Sequence, residues 1–123
     1  MGLAAAAAAC GLTHAVTVPV PSSPDATFSC ALSAVNRLGF TVTTSQRPVG
    51  QIVAERRAAG SDSGETLFTD LSVYVFTRED RTQLMVTAAR SKQHGSGPRG
   101  SAGLLVLDAD KQAADSVVAM CRK

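Results

Sequence analysis

Between Leu67 and Arg90 the chain alternates apolar and polar side chains, and that pattern leaves few folds open. Leu67, Leu71, Val73 and Val75 fall on one side, with Phe68, Asp70, Ser72, Tyr74 and Phe76 on the other. After Glu79-Asp80 the alternation resumes, with Leu84, Val86 and Ala88 set against Gln83, Met85 and Thr87. A period of two is the period of a β-strand. Two such runs around a tight connection predict an antiparallel hairpin with one buried face and one mostly open face. Tyr74, Phe76 and Met85 would then stand among polar neighbours on the open face.

Two helices flank this hairpin in sequence. Ser23-Pro24-Asp25 is a start signal: Ser23 can cap, Pro24 suits the first turn, and Asp25 favours the positive end of the helix dipole. Phe28, Ala31, Leu32, Val35 and Leu38 follow at helical spacing, and Gly39 supplies the stop. A second apolar stripe, Ala113, Ala114, Val117, Val118 and Cys121, predicts a helix from about Asp110 to the end. Between the first helix and the hairpin, Phe40–Thr44 and Gln51–Arg57 read as strands separated by the turn Arg47-Pro48-Val49-Gly50. Ala58–Glu65 is a polar loop. Ser91–Gly103, rich in glycine and without a carboxylate, is a second loop. Leu104–Leu107 is too short to type by periodicity, and fits either an edge strand or the lead-in to the last helix.

The expected order is helix, four antiparallel strands, helix. With both helices on one sheet face, it makes a two-layer α+β sandwich. At 123 residues there is room for one domain. Twelve Lys and Arg against ten Asp and Glu, with 4% aromatic residues and no Trp, do not make the footprint of a nucleic-acid binder. No apolar run approaches the roughly 20 residues that span a bilayer.

The first ten residues speak to destination. Met1-Gly2-Leu3 and six alanines lead to Cys10. Polyalanine buries little apolar area per residue and makes a poor core helix, but it suits the apolar part of an export signal. Ala7-Ala8-Ala9-Cys10 resembles the lipobox of bacterial lipoproteins, with Ala7 where that family usually has a larger aliphatic residue. The resemblance implies that residues 1–10 are a signal, that the Cys10 thiol is lipidated, and that Cys10 heads the mature chain. Ordinary signal cleavage at Ala7-x-Ala9 and a frayed N-terminus on a cytosolic protein are the competing readings. Residues 11–23, with three prolines by Pro24 and no charged side chain, read as a flexible tether. The domain is expected over residues 24–123.

Leu38-Gly39-Phe40-x-Val42 and Gly50-x-Ile52-x-Ala54-x-Arg56 are similar to small bacterial envelope lipoproteins of uncharacterised function. There a helix ends in a Leu-Gly-aromatic step and a strand pair follows. At the level of fold alone the architecture is similar to the helix-grip domains of outer-membrane assembly lipoproteins. The resemblance implies a non-enzymatic envelope protein and transfers no binding residue.

Three cysteines are an odd number for an exported chain unless one is lipidated. Setting Cys10 aside leaves Cys30 and Cys121, one per helix, as a candidate disulfide. Cys121 lies near the centre of its stripe, whereas Cys30 lies roughly 130° from the middle of its own, a position that could face solvent. Two free thiols in a reducing compartment are the alternative.

No catalytic constellation emerges. His14 falls in the expected tether and His94 in a loop, no C-x-x-C pair is present for a metal, and no phosphate-binding glycine loop precedes a helix cap. Asp108 and Asp110 read as helix-start residues. Arg56, Arg57, Arg90, Lys92 and Arg99 fall at strand ends and in the adjoining loop, and together would make a small anion-binding patch for lipid headgroups or an anionic wall polymer. Loop-end charges that only solubilise the chain are the plainer reading. The expectation is therefore a non-catalytic, lipid-anchored envelope protein without a cofactor. Its domain would act as an interaction module toward an envelope protein or polymer. A small-ligand carrier with a cavity between sheet and helices, and a cytosolic domain, are the alternatives.

Overall fold

The computed structural model describes residues 12–60, 63–100 and 104–123, so Cys10 and the alanine run lie outside the described residues. The element order is β1 (Thr13–Val20), α1 (Pro24–Arg37), β2 (Thr41–Gln46), a 3-10 turn (Arg47–Val49), β3 (Gln51–Ala59), β4 (Glu65–Arg78), β5 (Arg81–His94), β6 (Arg99–Gly100) and α2 (Asp108–Cys121). The six strands form one antiparallel sheet in the order β1-β5-β4-β3-β2, with β6 also on β5. The α+β sandwich expected from the sequence is present, with both helices packed on one face of the sheet.

The two helices form where their signals lie. Ser23 Oγ accepts from the Ala26 amide at 3.1 Å, and Gly39 leaves α1 with φ +88°. Asp110, in the first turn of α2, accepts from the Leu107 amide at 2.8 Å and so satisfies a helix-start donor. The β4–β5 hairpin pairs over its full length, from Glu65 opposite His94 to Arg78 opposite Arg81. Its two-residue turn puts both Glu79 and Asp80 at positive φ, the turn whose twist matches that of the strands.

The largest departure is at the N-terminal side. The stretch expected as a tether, residues 11–23, contains β1, which pairs with β5 from Thr13 opposite Ala89 to Val20 opposite Thr82. Pro19 and Pro21 do not prevent this, because β1 is an edge strand and an edge tolerates a missing donor. Val16, Val18 and Val20 pack against the core. The domain therefore reaches back at least to Thr13. At the other side, β5 runs on to His94 and β6 pairs back on Lys92 and Gln93, so residues 91–94 and 99–100 of the expected loop are strand. Leu104–Leu107 is neither strand nor helix, but an irregular lead-in to α2 that buries Val106.

The core lies between the sheet and the helices. Ile52, Leu71, Val73, Leu84 and Val86 are fully buried on the sheet side. Ala31, Val35, Ala114 and Val117 close over them from the helices. The alanines Ala31, Ala34, Ala113 and Ala114 are all buried at this helix–sheet interface.

Cys30 and Cys121 form a disulfide between α1 and α2, with Cα atoms 5.8 Å apart. The off-stripe position of Cys30 now has a physical reason. Its own stripe faces the sheet, while Cys30 faces sideways toward the neighbouring helix. A disulfide points to an oxidising, extracytoplasmic setting. Among the described residues no helix is long and apolar enough to cross a membrane.

Candidate functional site

The sheet has two distinct ends. At one, the first turn of α1, the 3-10 turn and the end of β4 enclose a half-open cleft of about 450 Å³. Phe28, Pro48, Val49, Val75 and Phe76 line it, Val75 from the helix-bearing face of β4 and Phe76 from the opposite face. Val49, 65% exposed, and Phe76 reach solvent, whereas Phe28 and Val75 are buried. Arg47 spans the rim: its Nη1 lies 2.6 Å from Asp25 Oδ1, and its guanidinium stands over the Phe28 ring at 4.6 Å. Gly50 permits the cleft's floor. It has φ +67°, its carbonyl accepts from the Val75 amide at 2.8 Å, and a Cβ there would collide with the Val75 carbonyl oxygen. The chemistry offered is that of an apolar socket beside one ion pair.

Sequence reasoning read Arg47-Pro48-Val49-Gly50 only as a turn. The usable signal was Val49, an aliphatic residue in a turn with no strand face to join. Phe28 was placed correctly in the core stripe, but its second role under Arg47 depends on a contact across 19 positions, which no local pattern reports.

The other end holds the five cations expected as an anion-binding patch. Strand register does bring them together, since Arg56 and Arg90 flank Thr69 while Arg57 and Ser91 flank Phe68. They are divided between two faces, however, and each has a partner within the chain. On the face bearing the helices, Arg90 pairs with buried Asp110 at 3.7 Å and Lys92 with Glu65 at 3.6 Å. Arg56 donates to the Leu38 carbonyl at 3.2 Å and lies 4.4 Å over Phe40. Asp110 also accepts from Thr69 Oγ1 at 2.6 Å, which locks the start of α2 to the sheet.

On the opposite, bare face Arg99 is the hub. Its two terminal nitrogens each lie 2.7 Å from a carboxylate, one on Glu55 and one on Asp70. Its guanidinium stacks 3.6 Å over the Phe68 ring. Arg57 covers the same ring at 5.5 Å and pairs with Glu55 at 3.6 Å. Ser91 Oγ donates to the other Asp70 oxygen at 2.7 Å. Phe68 is thereby 2% exposed on a face that no helix covers. The ensemble is an ion-pair cluster that closes on itself, with its positive charges already spent on internal carboxylates.

The histidines also take positions the sequence did not indicate. His14 belongs to β1, and its Nε2 lies 3.0 Å from Asp115 of α2. His94 ends β5, 3.5 Å from Glu65. No group of three or more His, Cys, Asp or Glu side chains suited to a metal ion occurs among the described residues.

No protein-family model matches the chain, and no curated protein matches it. Three solved structures are similar in shape. A DUF4468 family protein from Bacteroides ovatus aligns at 10% identity with a TM-score of 0.47, covering 88% of this chain and 78% of its own. DynU16, from the dynemicin biosynthetic locus, aligns at 13% identity and TM-score 0.43, covering 89% of this chain, which spans 45% of DynU16. Ara h 8.0201 aligns at 10% identity and TM-score 0.41, covering 89% of this chain and 94% of its own. Likenesses at this level carry neither a family nor a function to this chain.

Proposed function

We propose that this protein is a lipid-anchored, non-catalytic component of a bacterial cell envelope, and that its α+β domain is an interaction module. The observation that supports the anchor is the Cys30–Cys121 disulfide. It argues for an oxidising compartment, and it leaves Cys10 as the single cysteine of the chain without a partner in that bond, at the end of a lipobox-like stretch. Lipidation of Cys10 would account for both the odd cysteine count and the alanine run.

The cleft beside α1 is the surface best suited to a partner. Val49 at its lip is open to solvent, and its one carboxylate, Asp25, is bound to Arg47 instead of being poised for proton transfer. The occupant that fits is an apolar side chain carried on an envelope protein, resting on the exposed Val49 with its backbone near Arg47. The same cleft, at about 450 Å³, favours the small-ligand reading as the second choice.

Expression in a bacterial host with intact lipoprotein export tests the anchor. Mass analysis of the membrane fraction is expected to show a chain starting at Cys10 with added acyl mass, and Cys10→Ser is expected to move the protein to the soluble fraction. Soluble wild-type protein that retains Met1 unmodified would remove the reading.

A further inference from the structure

We propose that one corner of the domain rests in the membrane surface, with Leu12, Leu105 and Leu107 immersed among the lipid headgroups. The proposal rests on the lipidation of Cys10 and adds to it an orientation and a contact surface. Exposed large apolar side chains among the described residues fall into two groups. Val49 and Phe76 belong to the cleft, while Leu12, Leu105 and Leu107 are 41%, 59% and 53% exposed and belong elsewhere.

Strand register places that second group. Thr13, the first residue of β1, stands opposite Ala89, so Leu12 just before it lies toward the Arg90 end of β5. On the same edge of β5, Gly100 of β6 stands opposite Lys92. The lead-in containing Leu105 and Leu107 is fixed at the same level, because Asp110 binds Thr69, Arg90 and the Leu107 amide. Val106, between the two leucines, points inward and is 9% exposed. The start of β1, β6 and the lead-in to α2 thus lie at one end of the sheet, where Leu12, Leu105 and Leu107 are exposed.

The chain length to Cys10 supplies the occupant. Only Gly11 and Leu12 separate Cys10 from the first residue of β1. A fully extended chain covers about 3.3–3.6 Å per residue, so acyl chains on Cys10 hold this corner within roughly 10 Å of the lipid surface. At that distance exposed leucines meet the headgroup region, where aliphatic side chains partition favourably. Electrostatics contributes little, because Arg90, Lys92 and Arg99 are already paired with Asp110, Glu65, Glu55 and Asp70. The cleft, at the other end of the sheet, then faces away from the bilayer.

The chain contains no Trp, so a single introduced indole reports its own surroundings without background. The acylated full-length mature protein carrying Leu105→Trp, Leu107→Trp or, as the distal control, Val49→Trp is reconstituted in phosphatidylcholine–phosphatidylglycerol vesicles. The two leucine-site indoles are expected to shift to shorter emission wavelength and to be quenched several-fold more by brominated lipid than the control, with the difference unchanged at high salt. Leucine-site indoles as open to aqueous quencher as the control, in protein whose mass shows the lipid, would overturn the orientation while leaving the anchor standing. A shift that tracks protein concentration in detergent without vesicles would overturn it in favour of a second copy of the chain. Absence of lipid on wild-type Cys10 would overturn both.

Discussion

The two faces of the sheet are built from alternate residues of the same strands, yet they are stabilised by different chemistry. On the covered face, Leu71, Val73, Leu84 and Val86 are fully buried under two helices that a disulfide joins. On the bare face, Ser72, Tyr74, Met85 and Thr87 are half-exposed, and the one large buried residue, Phe68, is roofed by Arg57 and Arg99 instead of by a helix. Alternation fixes which residues share a face, whereas what covers the face decides whether it is held by hydrophobic burial or by charge. Burial is not screened by salt, whereas exposed ion pairs are.

Breaking the covered face where its helices are joined carries the largest expected effect. The Cys30→Ser, Cys121→Ser double variant removes a cross-link between residues 91 positions apart. It is expected to lose about 4 kcal/mol in denaturant unfolding. A loss below about 1 kcal/mol would show that helix packing alone fixes α1 beside α2. Next comes Asp110→Ala, which strips Arg90 of its buried partner and α2 of its first-turn acceptor. About 3 kcal/mol is expected, with little dependence on salt because both side chains are largely buried. Arg99→Ala tests the bare face and is expected to cost about 1–2 kcal/mol. That cost is expected to shrink at high salt, and equal losses for the Asp110 and Arg99 variants at every ionic strength would erase the distinction between the faces.

The elements that sequence reading found are those whose signals are local. Ser23 caps α1, Gly39 ends it, and the Leu67–Ala88 alternation is the β4–β5 hairpin. β1 is not legible locally: Thr13–Val20 carries β-branched residues, but three prolines by Pro24 argue against a strand there. Prolines argue against a central strand, and whether a strand is at an edge is a property of the finished sheet. Of the candidate sites, the disulfide was legible from cysteine arithmetic. Its geometry was not, since the angle of Cys30 on α1 has meaning only once α2 lies beside it. The cation cluster was visible as a set of residues, but their carboxylate partners lie up to 44 positions away in sequence.

By itself, then, the sequence determined the two helices, the central hairpin, the sandwich class and the pair of cysteines, because each rests on spacing within a few residues or on simple counting. Tertiary structure decided the edge strand β1, the partners of the five cations and the cleft beneath Arg47. Those depend on which distant segments meet, and a backbone donor, a guanidinium or an aromatic ring takes whatever partner the assembled sheet brings within reach.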